Sequence, residues 1–189
     1  MDRGIIAFWY DLPAEGEGEY LGWLHETHLP EILSGREDFL WAAHYRNEGG
    51  GDRFREVTKD MMRSGEGEVG DGRDYLLLIG AESPHSFFNP TIPQIRERHS
   101  GETLEMVGRR SGLNICIFSE EARVDGPDAA ARPAGSAPGP YIQMGNFNVA
   151  KPEDDHILGG WYAQHRLPFV AKMPGGIGAR KLTAAAGWG

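Results

Sequence analysis

The chain has one cysteine, Cys116, which excludes an internal disulfide framework. Cys116 lies in the apolar strand pattern LNICIF, which fits a buried inert thiol better than a nucleophile. No apolar run approaches the roughly 20 residues that a bilayer requires. The opening stretch MDRGIIAFWYDLP holds an apolar segment shorter than about 7 residues before Asp11 and Pro13, which reads as a first strand and not a secretion signal. Basic residues are in the minority, 19 against 28 acidic, giving a net charge of −9 with no Lys/Arg cluster. Such a surface repels phosphate backbones, so no nucleic acid is expected as partner. GEGEVGDG lacks the Lys-Ser/Thr end of a phosphate loop, and no G-x-S-x-G elbow is present. At 40% hydrophobic and 25% charged residues the chain is too apolar for wholesale disorder. The expectation is a globular cytoplasmic protein.

Residues 4–12, GIIAFWYDL, are β-rich and end at Pro13. The acidic AEGEGE suits a helix N-terminus, and 20–35 reads as a helix closed by Ser34-Gly35. FLWAAHYR (39–46) alternates like a strand and runs into the turn NEGGGD. A short helix over 55–63 and a Gly/Glu-rich loop, SGEGEVGDG, come next. DYLLLIGA (74–81) is a third strand, 91–110 contain a helical stretch, and LNICIFSE gives a fourth strand. The order β-α-β-β-α-β predicts an α+β, ferredoxin-like unit over residues 1–124.

Residues 125–140, DGPDAAARPAGSAPGP, have the composition of a linker. After them the opening pattern recurs. YIQMGNFNV (141–149) parallels the first strand, GGWYAQHRLPFVAKMPGG the first helix and GARKLTAAAG the second strand. Matching Pro30 with Pro168 gives an offset of 138 residues. Residues 141–189 therefore read as the β-α-β start of a second, incomplete unit. A half unit leaves strand edges unpaired, so the expectation is that the chain continues, or that a second copy or partner chain completes the sheet.

WLHETHLP, 23–30, places two of the 7 histidines on an apolar helix. Leu21, Leu24, His28 and Ile32 share one face at helical spacing, and His25 stands beside it. Pro30 leaves the Glu26 carbonyl without its helical partner, so a kink beside the histidines is expected. Leu158, Trp161, His165 and Phe169 form a similar stripe before Pro168. Three readings fit His28: a hydrogen-bonded core histidine, a metal ligand paired with His25, or an acid–base group. WLHET is not the H-E-x-x-H zinc motif, and spacing fixes no third ligand, so no metal is assigned.

A helix with W-x(3–4)-H-x(1–2)-P, then P-G and a strand with A-R, as in WLHETHLPEIL and WYAQHRLPFVAKMPGGIGARKL, resembles the dimeric α+β barrel superfamily. The likeness is greatest to its EthD-like and RedY-like branches. It implies two ferredoxin-like units pairing their sheets into a barrel around a small aromatic or polyketide-derived molecule. It also implies cyclase, isomerase, lyase or cofactor-free oxygenase chemistry with histidine acids and bases. The motif histidine carries over to His28. In the second copy it is His165, one position out of register, or Arg166 in its place.

By strand alternation Leu40, Ala42, His44 and Arg46 share one face, and Phe39, Trp41, Ala43 and Tyr45 the other. Either His44 or Tyr45 then approaches His28 as a second acid–base group. Trp9, Trp23, Trp41, Phe8 and Tyr10 would wall a flat substrate or simply fill the core. Asp11 and Asn148 end the matching first strands, where they contact a ligand or cap a turn. The expectation is a cofactor-independent lyase, isomerase or cyclase acting on a small hydrophobic or aromatic metabolite. His28 leads, with His25, His44 or Tyr45 assisting, and Trp9, Asp11, Trp23, Trp41, Arg46, His165 and Arg166 binding substrate. The competing expectations are a non-catalytic ligand-binding or assembly module and a cofactor-free or haem-dependent oxygenase. A homodimer or a completing partner chain is expected; a membrane is not.

Overall fold

A computed structural model describes residues 1–48, 56, 74–132, 135–146, 149 and 151–187. The expected helix over 55–63, the loop SGEGEVGDG, most of NEGGGD and Asn148 lie outside the described residues.

Five strands form one antiparallel sheet: β1 (Gly4–Asp11), β2 (Phe39–Arg46), β3 (Tyr75–Ala81), β4 (Ser111–Asp125) and β5 (Gly178–Ala186), in the spatial order β2-β3-β1-β4-β5. The apolar run of β1 sits at the centre, paired on one side with β3 from Gly4↔Ala81 to Tyr10↔Tyr75 and on the other with β4. The fold is α+β, and the order of its first four strands is compatible with a ferredoxin-like unit.

One helical run crosses from β1 to β2. It begins as α1 (Glu17–Trp23), whose first turn carries Glu17 and Glu19, an arrangement favoured by the helix dipole. It widens into a π-helical turn over Leu24–His28 and ends as α2 (Leu29–Ser34). The π turn is the form the proline-induced irregularity takes. Pro30 has no N–H to offer the Glu26 carbonyl, and the Leu29 N–H instead reaches back five residues to Leu24. The second helical run repeats this. After α3 (Ile92–Arg96), α4 (Gly101–Gly108) and β4 come α5 (Pro152–Trp161), a π turn over Tyr162–Arg166 and α6 (Leu167–Val170), with the Leu167 N–H bonded to the Tyr162 carbonyl. The two π turns begin at 24 and 162, the offset of 138 that also separates Pro30 from Pro168.

Alternation along the strands divides the core. On one face Tyr10 and Leu77 pack with Tyr20, Trp23, Leu24 and Leu29, and Ile6, Ile79 and Ile117 pack beside them with Phe87 and Ile32. Ile5, Ala7, Trp41, Leu78, Cys116 and Phe118 face the other way. Cys116 is buried there, as expected of an inert thiol. An irregularity between Phe39 and Trp41 breaks the simple alternation of β2. Phe39 joins the helix side with Ala42, while Leu40 joins Trp41 on the opposite side. Strict alternation had placed Leu40 with Ala42 and Phe39 with Trp41; the bulge puts each on the other face. The Trp41 ring fills the space above Gly80, where a Cβ would stand 2.0 Å from the indole.

The N-terminus anchors this second face. Asp2 is fully buried. It accepts from Trp41 Nε1 at 2.8 Å and pairs with Arg123 at 2.8 Å and Arg180 at 2.7 Å. Arg123 also grips Glu120. Burial pulls the Asp2 carboxyl upward, but the Arg123, Trp41 and Arg180 contacts outweigh it and hold it below its ordinary value. The arginine of the A-R motif thus ties edge strand β5 to the N-terminus and, through Trp41, to β2.

One expectation for 141–149 needs correction. Residues 141–146 form no strand, and Ile142 and Met144 instead pack on the second sheet face. Part of the proline-rich stretch is held there too. Ala137 packs on the same face, the Tyr45 hydroxyl donates to the Gly139 carbonyl at 3.0 Å, and Arg132 donates to the Ala137 carbonyl. Pro138 and Pro140 cannot donate to a ladder, and β5 already pairs with the outer edge of β4. Among the described residues no helix is long and apolar enough to cross a membrane.

Candidate functional site

The sheet face beneath α1 and its π turn carries a row of polar groups between apolar neighbours. Tyr10 ends the helix-facing row of β1, Tyr20 precedes Leu24 by one turn, and His44 extends from β2. All three meet. The Tyr10 hydroxyl lies 2.7 Å from His44 Nε2, the Tyr20 hydroxyl donates to Tyr10 at 3.3 Å, and Arg110 Nε donates to Tyr20 at 2.6 Å. On the outer side His25 Nε2 lies 2.9 Å from His44 Nδ1. The result is a continuous hydrogen-bond chain from exposed His25 through His44, Tyr10 and Tyr20 to Arg110.

The chain has a direction. A guanidinium only donates, so Arg110 gives its Nε proton to Tyr20, and Tyr20 gives its own to Tyr10. Continuing the same order, with Tyr10 as donor to His44 Nε2, assigns the His44 proton to Nδ1, aimed at His25 Nε2. A neutral His25 then carries its remaining proton on Nδ1, where an oxyanion on a bound molecule can accept it.

The surroundings keep the inner groups neutral. His44 lies against both Tyr75 and Tyr10, at 5.1 and 5.9 Å, and those two rings are themselves 5.8 Å apart. Burial, then His25 and Arg110, push its pKa down to about 4. Burial and Tyr20 hold the Tyr10 phenol well above its ordinary value. The Arg110 guanidinium lies 4.8 Å from the Tyr10 ring centroid and within 5.7 Å of those of Phe8 and Tyr20. Tyr75 donates to Glu17 across the start of α1, and burial with that carboxylate pushes its phenol up to about 12.

His28 points elsewhere. It is buried on the predicted stripe, stacked on Trp23 at 4.5 Å, with the His99 ring edge-on at 6.0 Å. Burial, then Arg110 and His99, push its pKa down to about 4. No described residue hydrogen-bonds to it. His25 and His44 are therefore in direct contact, while His28 sits in a neighbouring compartment whose shared member is Arg110.

The remaining expected residues scatter. Tyr45 is on the opposite sheet face with Trp9 and Trp41, where Trp9 meets Phe118 edge-on at 6.2 Å. Trp23 is core beneath the helix. Asp11 accepts from the Asp74 backbone N–H at 2.7 Å and so ties β1 to the start of β3. Arg46 is exposed at the end of β2. His165 and Arg166 line an open groove of about 630 Å³ with Trp161, Gln164, Phe169 and Lys172. That groove belongs to the second helical run and includes none of the clustered groups. Among the described residues no three His, Cys, Asp or Glu side chains converge as metal ligands.

Tyr20 and Arg110 are the members that reading the sequence missed, and Tyr10 entered it only as an aromatic wall, not for its hydroxyl. The signals were present: Tyr10 continues the Ile6–Phe8 row, and Tyr20 lies four residues before Leu24. Arg110 gave no such signal, because its position depends on the turn between α4 and β4. Comparison with protein-family models, with curated proteins and with solved structures finds no match to this chain.

Proposed function

We propose that this chain is a cofactor-independent enzyme of the lyase, isomerase or cyclase type that moves protons on a small hydrophobic or aromatic metabolite. The observation that carries this reading is the hydrogen-bond chain that begins at exposed His25 and ends on the Arg110 guanidinium. These reaction types share a step in which a proton leaves carbon beside a carbonyl or returns to it, and negative charge passes through an oxygen. His25 contacts the substrate and donates Nδ1–H to that oxygen, while the proton leaving carbon passes to solvent water at the exposed His25 face. His44 resupplies His25 from Nδ1 and is resupplied by Tyr10, and Tyr20 follows. Negative charge drawn inward meets the fixed positive charge of Arg110. Relative to the sequence expectation, the lead passes from His28 to the His25–His44 pair.

The reading of the fold as one of the dimeric α+β barrel kind, with a tandem second half, is part of the same proposal. The paired π turns support the duplication. A barrel would need the second sheet face, part of which Ala137, Ile142 and Met144 cover.

Deuterium exchange tests the chemistry. In D2O, followed by NMR, the probe 2-tetralone, a flat aromatic ketone, should lose its activated C–H signal faster with protein than without. His44→Gln should slow the catalysed exchange about 100-fold. Wild-type protein no faster than the variant would refute the reading.

One observation favours a second reading, an assembly module. The stripe of the second helical run faces solvent, with Trp161 48% and Phe169 62% exposed. Native mass spectrometry distinguishes the two: a lone monomer that exchanges the probe supports the enzyme, and an inert oligomer supports the module.

A further inference from the structure

The compartment beside the proton chain contains buried nitrogens without a hydrogen-bond partner among the described residues. Arg110 spends Nε on Tyr20, yet its Nη2 is buried with no hydrogen-bond partner among the described residues. His99 Nδ1 is buried and unpartnered in the same sense. His28 makes only ring contacts, to Trp23 and to His99. No described carboxylate pairs with Arg110, although the chain carries 28 acidic residues and pairs Arg36, Arg109, Arg123 and Arg180 with them. A guanidinium that is partly buried, without a counterion and backed by aromatic faces costs free energy unless something negative answers it.

We propose that Arg110, His99 and His28 form a binding site for one carboxylate group, so that the metabolite carries an acid function beside the centre where protons move. The charge sign, the pair of orphaned nitrogens and the apolar lining of Trp23 together suit a planar carboxylate attached to a flat hydrophobic body. Arg110 then joins the two compartments: Nη2 holds the carboxylate while Nε holds Tyr20. His99 belongs to the short connection between α3 and α4. This inference rests on the proposed function only for the identity of the bound molecule; the site itself can be tested without turnover.

The test is an NMR titration of the imidazole signals in the full chain, with benzoate, acetate and phosphate as separate probes. A bound anion offsets the repulsion by Arg110, so benzoate should move the His28 and His99 titrations upward, with acetate weaker by several-fold. The effect should vanish in Arg110→Gln, whose fold is checked by circular dichroism. His99→Leu, which leaves Arg110 in place, should weaken benzoate binding several-fold and serves if Arg110→Gln fails to fold. No response to benzoate, an equal response in both variants, or a response to phosphate alone overturns the proposal. If benzoate fails while 2-tetralone still exchanges, the enzyme reading survives with a neutral substrate. If benzoate binds and exchange fails, the site stands without it.

Discussion

Acid should destabilise this protein earlier than its carboxylates alone would cause. His28 and His44 are each held at about 4 in the folded chain, against an ordinary histidine value of about 6.5. The unfolded chain therefore takes up protons first as the pH falls. Stability is fully present above about pH 6.5 and is lost progressively down to about pH 4. For one histidine shifted this far, the loss at about pH 5 is roughly 2 kcal/mol. His44 is partly exposed, so its share is a ceiling, and the pair together gives about 3–4 kcal/mol. That is a large part of a total of about 5–15 kcal/mol for a domain. Carboxylates add little in this window; Asp38, held down to about 2 by Arg36, responds only at lower pH. Urea unfolding at several pH values between 7 and 5 should show the midpoint falling by about 1.5 M or more, for an m-value near 2 kcal/mol/M. His28→Phe, which keeps a ring against Trp23, should remove about half of that slope. A midpoint independent of pH across this range, or an undiminished slope in His28→Phe, would refute the argument.

Other outcomes follow from single contacts. Gly80→Ala drives a methyl into the Trp41 ring and should cost about 1–3 kcal/mol or more by calorimetry. Asp2→Ala leaves Arg123 and Arg180 facing each other without their shared carboxylate. A loss of about 3–5 kcal/mol in chemical denaturation is expected, whereas a mild effect would mean Glu120 alone neutralises both. Tyr10→Phe breaks the proton chain but keeps the ring beneath Arg110. It should reduce exchange of 2-tetralone by about 10-fold or more with little change in melting temperature.

Local chemistry made the strand and helix pattern readable. The apolar alternation of GIIAFWY, the FLWAAHYR strand and the stripe through Leu24 and His28 all follow from side-chain periodicity, which the backbone obeys. Which imidazole His44 meets was not readable, because the placement of the helical run over the sheet, which the strand pattern does not encode, brings it to His25 and not to His28. Arg110 is further out of reach: its partners are 90 residues away in sequence. The unformed strand over 141–146 failed for another reason. Its residues are apolar enough for a strand, but the edge of the sheet had already been taken by β5.

The paired π turns separate scaffold from chemistry. Each turn is produced by its own proline and backbone, and the second one forms where Trp161 and Phe169 of its stripe are solvent-exposed. The widened helix therefore does not depend on the histidine cluster for its existence. At the same offset of 138, His28 corresponds to Arg166 and His44 to Leu182. The second helical run thus presents the same π turn without a histidine at either of those two positions. It is a built-in control on which the imidazoles could be installed, and their effect measured, within one molecule.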